Sequence, residues 1–292
     1  MKKIIVITGP TGVGKTKLSI ALAKHFDGEI INADSMQIYK DLNIGTAKIS
    51  EEEKEGITHH LFDIKNVEED YSVYDYQRDG RLILNNLNEN KTPIIVGGTG
   101  LYIKALLYDY SFQNDEVRYD FSHLTNEELY DQIIKYDDNL DIHINNRKRL
   151  ERRLNLCMNN KQDDEKRGNK LLYDAIFIGL TTDRDNLYNI INNRVDKMIS
   201  DGLIDEVKCL YNKGIRSKAL LTGIGYKELY CYFDGEMKLD STIYLIKQNS
   251  RRYAKRQYTW FNNQMDIKWF DVDFNHFAKT EEEVIDYIEK SL

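Results

Sequence analysis

The sequence predicts an α/β protein with a parallel sheet flanked by helices and a helical insertion. Three observations predict it. Short continuous apolar runs alternate with helix-period segments, which is the pattern of strands covered on both faces. The first of these runs ends in a glycine-rich turn that opens a helix. Between residues 113 and 172 the alternation stops and no convincing strand occurs. The expected division is therefore a first core part at 1–112, a helical insert at 113–172, and a second core part at 173–292 that carries a basic helix.

The elements follow in order. Residues 3–8 (KIIVIT) suit a buried strand, and residues 15–26 place Leu18, Leu22 and Phe26 on one helix face. Residues 29–33 (EIINA) read as a second strand. Residues 71–90 read as a long amphipathic helix, with Tyr74, Leu82 and Leu87 among its apolar positions. Residues 93–96 (PIIV) are a third strand ending in Gly97-Gly98. In the insert, 126–136 and 143–158 read as helices and 159–169 as a polar loop. Residues 175–180 (AIFIGL) restore a core strand, and 183–211, 225–233 and 241–261 read as helices. A last strand is expected at 267–270 and a closing helix at 280–291. The two prolines, Pro10 and Pro93, sit at strand boundaries.

Composition bounds the function. A chain of 292 residues, 41% hydrophobic, can bury a sizeable core. With 41 basic against 48 acidic residues the net charge is −7, which argues against a generic nucleic-acid coat but not against a local basic surface. No apolar run approaches the roughly 18 residues of a membrane span, so no membrane partner is expected. The start of the chain is basic and then apolar, but the apolar stretch stops after Ile7, which argues against an export signal. Cys157, Cys209 and Cys231 lie far apart without a CxxC pair, so a reducing cytoplasm fits.

The motif with the clearest chemistry is Gly9-Pro10-Thr11-Gly12-Val13-Gly14-Lys15-Thr16, a G-x-x-x-x-G-K-[ST] loop between an expected strand and an expected helix. Glycines let backbone N–H groups turn towards oxyanions, and the helix N-terminus adds partial positive charge. Lys15 supplies a cation, and the Thr16 hydroxyl can ligate Mg²⁺. The fold expectation thereby sharpens to a P-loop NTPase-like sheet. The loop specifies a di- or triphosphate, not a nucleotide. The third strand ends in glycines where an ATPase would usually place a Mg²⁺-holding acid, which is mild evidence against ordinary ATP hydrolysis.

Asp34 follows the second strand, on the edge where parallel sheets bind ligands. It stands in Asp34-Ser35-Met36-Gln37, which packs an acid, a hydroxyl and an amide into four residues. Such a carboxylate can take a proton from a nucleophile while Ser35 and Gln37 bind a substrate base. A plain helix cap explains the acid equally well. Gly97-Gly98-Thr99-Gly100 is either a site for close substrate approach, with Thr99 as donor, or a simple turn. The adjacent His59 and His60 read as structural histidines rather than metal ligands, because neighbouring residues rarely share one ion.

Two basic stretches stand out in an acidic chain. Residues 147–153 (RKRLERR) hold five basic residues and one acid. Residues 241–262 hold Lys247, Arg251, Arg252, Lys255 and Arg256 with no acid. Helical spacing aligns Lys247, Arg251 and Lys255, and places Ile243, Ile246, Tyr253 and Trp260 on another face. Each stretch alone reads as a solvated helix face. Two of them beside a phosphate loop point to a polyanion partner.

Taken in order, GPTGVGKT, DSMQIYKDLNIGTAK, HHLFDI, VGGTGLYIKALL, GIGYKEL and KRQYTWF resemble the tRNA dimethylallyltransferases, or tRNA isopentenyltransferases. The resemblance runs from residue 9 to about 270. It implies transfer of a dimethylallyl group from dimethylallyl diphosphate to N6 of the adenosine just 3′ of a tRNA anticodon. It implies Asp34 as base, the loop 9–16 with Arg194 as the diphosphate site, and Mg²⁺ as cofactor. Arg194 reads equally well as a surface arginine within a helix. For the tRNA anticodon stem-loop it implies contacts from Asp34, Ser35, Met36, Gln37, Thr99, Arg118, Lys148, Arg149, Arg152, Lys227, Lys255, Arg256 and Gln257. The resemblance departs from the family pattern in a shorter insert, in Asn145-Asn146 where a proline-bearing segment is usual, and in Thr222 where Gln or Arg is common. No zinc-finger tail follows, which implies the bacterial type, expected as a monomer. The rival readings are a small-molecule P-loop kinase, an adenylate isopentenyltransferase acting on free nucleotide, and a P-loop RNA-binding regulator.

Overall fold

A computed structural model describes residues 3–112, 117, 119–138, 140–159 and 168–292. The expectations for Arg118 and for most of the 159–169 loop fall outside them. The chain forms two compact units, Met1–Leu107 with Leu172–Leu292, and Tyr108–Leu171.

The first unit begins with β1 (Ile4–Thr8), α1 (Lys15–His25), β2 (Gly28–Asn32), β3 (His59–His60), α2 (Val73–Asn86), β4 (Thr92–Val96) and α3 (Gly100–Leu107). The second unit contributes α4 (Asn126–Ile134) and α5 (Arg147–Met158). The chain then returns through β5 (Ala175–Thr181), α6 (Arg184–Ser200), α7 (Leu203–Asn212), α8 (Lys218–Thr222), α9 (Tyr226–Phe233), α10 (Leu239–Gln264), β6 (Lys268–Asp271) and α11 (Phe277–Ser291). Among the described residues the strands form one sheet in the order β3-β2-β4-β1-β5-β6, with every pairing parallel. The fold class read from the sequence is thus the observed one.

The central strands are apolar because helices cover both faces: Ile4, Ile5, Val6 and Ile7 of β1 are wholly buried. β1 lies between β4 and β5, so the chain leaves β1, passes over β4, and enters β2. The carboxyl ends of β1, β2 and β4 therefore gather at one edge, where an open parallel sheet forms its crevice. A second apolar cluster joins α7, α9 and α10 with Tyr39, Leu42 and Val67. On the other side α11 closes back on the start of the chain: the Phe277 ring sits against Gly14, the Lys17 ammonium lies 4.5 Å from that ring, and Lys3 Nζ donates to Ser291 O at 2.6 Å.

The second unit has its own small core of Phe121, Leu129, Ile133, Leu150 and Leu154. Its two ends meet, with Tyr108 bridged antiparallel to Leu171. α4 starts with a reciprocal cap between Thr125 and Glu128.

Several elements differ from the sequence reading. The helix expected at 183–211 is two helices, broken where Gly202 takes a left-handed φ of 105°. The helix expected at 143–158 starts only at Arg147. β3 and α8 were not anticipated; each is short and lacks a periodic apolar pattern. In α2 the inward positions are Tyr76, Gln77, Gly80 and Leu84, while Tyr74 and Leu82 are exposed. The reason is a tight contact with α3: Gly80 faces Leu106, and Gln77 Nε2 donates to Ala105 O at 2.7 Å.

Candidate active site

The loop after β1 has the geometry its glycines imply: Gly9, Gly12 and Gly14 take φ of 134°, 89° and 91°, values an L side chain rarely adopts. Gly14 is the N-cap of α1, no side chain caps that end, and the first turn carries no acid. Its N–H groups are therefore available to an anion. Lys15 Nζ donates to Gly9 O at 3.0 Å and to Pro10 O at 2.7 Å. Val13 points into the core, so its backbone alone can serve a ligand. Thr16 is exposed on the first turn and lines the cleft.

That cleft has a volume of about 1050 Å³. Its walls include Thr11, Gly12, Gly14, Lys15 and Thr16 from the loop, Asp34, Ser35, Met36 and Gln37 after β2, Arg194 from α6, Lys227 from α9, and Arg256 and Gln257 from α10. Asp34 and the phosphate loop thus share one cavity. Burial pushes the Lys15 ammonium down to about 7, the Arg194 charge adds to this, and the Asp34 carboxylate opposes it. Burial also lowers Arg194, again opposed by Asp34. Two desolvated basic groups and one carboxylate meet here, and a di- or triphosphate would restore the charge that burial disfavours on the bases.

Asp34 is held by its surroundings. Its N–H donates to Asn32 Oδ1 at 2.9 Å, and its Oδ1 accepts from Met36 N at 2.9 Å. The end of β2 is tied to the end of β4: Thr99 N donates to Ala33 O at 3.0 Å, and Ser35 N donates to Thr99 Oγ1 at 3.1 Å. Gln37 Nε2 donates to Thr46 O at 3.1 Å, and Arg194 Nη2 donates to the same carbonyl at 3.3 Å. Gln257 is buried, its Nε2 donates to Gly98 O at 3.0 Å, and its Oε1 is without a partner among the described residues. The bond to Gly98 fixes which end of that amide is the open acceptor.

Sequence reasoning missed Tyr253. It lines the cleft beside Thr99 and Gln257, and burial together with the Asp34 charge pushes its phenol up to about 12. The Arg256 guanidinium lies 5.6 Å from its ring. The i, i+3, i+4 spacing of Tyr253, Arg256 and Gln257 was the available signal.

The basic stretches divide on inspection. On α5, Arg147 binds the carbonyls of Phe121 and Leu124 and pairs with Glu151, and Arg153 pairs with Asp137 at 2.6 Å. Lys148, Arg149 and Arg152 are exposed. On α10, Lys247 pairs with Asp196 at 2.7 Å and Arg251 donates to Asn192 Oδ1 at 2.5 Å, so both fasten α10 to α6. Arg252, Lys255 and Arg256 are exposed. The histidines are both hydrogen-bonded, His59 Nδ1 with Ile57 O at 2.8 Å and His60 Nε2 with Glu29 Oε2 at 2.7 Å. Among the described residues no three His, Cys, Asp or Glu side chains converge as metal ligands, and no helix is long and apolar enough to cross a membrane.

Fold and cleft together define an α/β protein with an anion-binding loop facing a carboxylate. Residues 37–264 match the family model for IPP transferase. The chain is 50% identical to a tRNA dimethylallyltransferase of Anoxybacillus flavithermus, over 99% of this chain and 96% of that protein. It is 48% identical to a protein of the same description from Bacillus anthracis, over 100% and 96%. A solved full-length tRNA isopentenylpyrophosphate transferase from Bacillus halodurans superposes with a TM-score of 0.77 at 41% identity, over 99% and 96% of the two chains. A eukaryotic dimethylallyltransferase described as acting on tRNA superposes at 0.79 with 31% identity, over 93% of this chain and 74% of that one. The chain belongs to the IPP transferase family of prenyltransferases.

Proposed function

We propose that the protein transfers a dimethylallyl group from dimethylallyl diphosphate to N6 of the adenosine 3′ to the anticodon of tRNA, in the cytoplasm. The observation that carries this reading is the single cleft in which Asp34 faces the loop 9–16 with Lys15 and Arg194. The N6 lone pair of adenine is delocalised into the ring and makes a weak nucleophile. As N6 bonds to the allylic carbon, the carbon–oxygen bond breaks and its electron pair leaves with the diphosphate. The nitrogen becomes cationic, and Asp34 takes its proton. Lys15, Arg194 and the first-turn N–H groups of α1 stabilise the charge that grows on the leaving group.

The exposed Thr16 hydroxyl, which lines the cleft on the first turn of α1, would hold Mg²⁺ together with the substrate, since Mg²⁺ often binds through few protein groups and substrate phosphates. When bound it neutralises diphosphate charge. Ser35, Gln37, Thr99, Tyr253 and Gln257 surround the place of the base, which has to leave its stack to reach a carboxylate inside the cleft. Residues 113–172, with Lys148, Arg149, Arg152 and Arg118, serve as the tRNA-facing insert, and Lys227, Lys255 and Arg256 as further phosphate contacts.

The test is mass spectrometry of nucleosides from tRNA incubated with the protein, Mg²⁺ and dimethylallyl diphosphate, with free AMP in parallel. A prenyl mass gain on tRNA adenosine and none on AMP is expected. Prenylated AMP, or no transfer at all, ends this reading.

A further inference from the structure

Three consecutive backbone N–H groups converge on the side chain of Glu206 in α7. Asn43 N and Ile44 N reach Oε2 at 3.0 and 2.7 Å, and Gly45 N reaches Oε1 at 3.1 Å. The Tyr226 hydroxyl, from the first turn of α9, donates to the same Oε1 at 2.7 Å. Successive N–H groups aimed at one point form an anion nest. Here the protein's own carboxylate fills it. Tyr226 is fully buried, and a Cβ at position 45 would lie 2.6 Å from its ring, so glycine alone lets the loop pass. Burial and the Glu206 charge hold the Tyr226 phenol far above its ordinary value, which keeps it a donor.

The opposite side of the same loop faces the cleft. Its Thr46 carbonyl receives both Arg194 Nη2 and Gln37 Nε2, at 3.3 and 3.1 Å. One carbonyl therefore holds a cation and an amide that both line the cleft. Internal bonds stiffen the segment: Thr46 Oγ1 donates to Leu42 O at 2.6 Å, and Lys48 Nζ donates to Tyr39 O at 2.7 Å. Glu206 itself does not line the cleft.

We propose that Glu206, seated by Tyr226, is a positioning residue for prenyl transfer: it fixes the 43–46 backbone and, through the Thr46 carbonyl, the reach of Arg194 and Gln37. This rests on Arg194 being a diphosphate ligand. Glutamine at 206 would turn an amide donor towards backbone donors and lose the charge, so the loop would lose its register at unchanged side-chain size.

The experiment is a double-mutant cycle read by calorimetry with inorganic diphosphate and Mg²⁺, using Arg194→Ala, Glu206→Gln and the pair. Glu206→Gln should weaken diphosphate binding about tenfold, and the pair should bind within about twofold of Arg194→Ala alone. Losses that multiply in the pair overturn the proposal, as does unchanged affinity in folded Glu206→Gln with only a lower melting temperature. Undiminished affinity in Arg194→Ala removes the ligand reading of Arg194, and the proposal with it. Should Glu206→Gln not fold, Tyr226→Phe keeps the ring against Gly45 and deletes one hydrogen bond. The same cycle then applies, with an expected loss of about threefold.

Discussion

Lys15 sits where a charged amine is disfavoured, and this has two measurable results. Its folded value of about 7 lies below the unfolded value of 10.5, so the native state binds fewer protons between those limits. The penalty on folding is complete below about pH 7 and vanishes above the unfolded value. Lys15→Met should therefore raise the melting temperature at pH 6.5 more than at high pH, as a pH series of thermal scans would show. An incoming diphosphate restores the charge, so binding takes up a proton and weakens as pH rises through about 7. Calorimetry in buffers of different ionisation heat measures that proton directly. For Asp34, Asp34→Ala should abolish turnover while tRNA affinity stays within a few fold; surviving turnover would show that another group takes the proton. Asp34, Lys15 and Arg194 were legible because motif and resemblance name them. Tyr253 and Glu206 were not, because their placement depends on which helix lies across the cleft or behind the loop, and local sequence does not encode that.

At the scale of elements, the basic residues of α10 separate into a paired group and an exposed group along its length. Lys255 and Arg256 are exposed, and neutralising both should lower the salt slope of tRNA binding by about one unit each. Lys247 and Arg251 are spent on Asp196 and Asn192, so neutralising them should leave that slope unchanged and lower stability instead. Salt titrations of the two double variants check the contrast. The core strands were readable in the sequence because burial on both faces leaves a continuous apolar run, as in β1 and β4, whereas the two-residue β3 leaves none. The inward face of α2 was not, because Gly80 and Gln77 sit there through a close approach to α3 and a bond to a carbonyl, neither of which is apolar periodicity. The break between α6 and α7 rests on one left-handed glycine within a pattern that otherwise reads as helix.

For the whole molecule, the excursion through residues 108–171 is closed at its base: Leu172 N donates to Leu107 O at 2.9 Å. A short linker can therefore replace it. The shortened protein should keep its diphosphate affinity and lose transfer to an anticodon stem-loop; retained transfer would remove the insert from tRNA recognition. Within the full chain, Leu154→Ala should cost about 2–5 kcal/mol in the insert, since Leu154 is wholly buried in a core of few residues. Urea titration followed by a probe placed in the insert measures it.

The contact of Phe277 with Gly14 has a temporal consequence. Translation makes the phosphate loop early and its buttress more than 260 residues later. A ribosome-bound nascent chain stalled before position 277 should thus hold no diphosphate, and competence should arrive only as synthesis finishes.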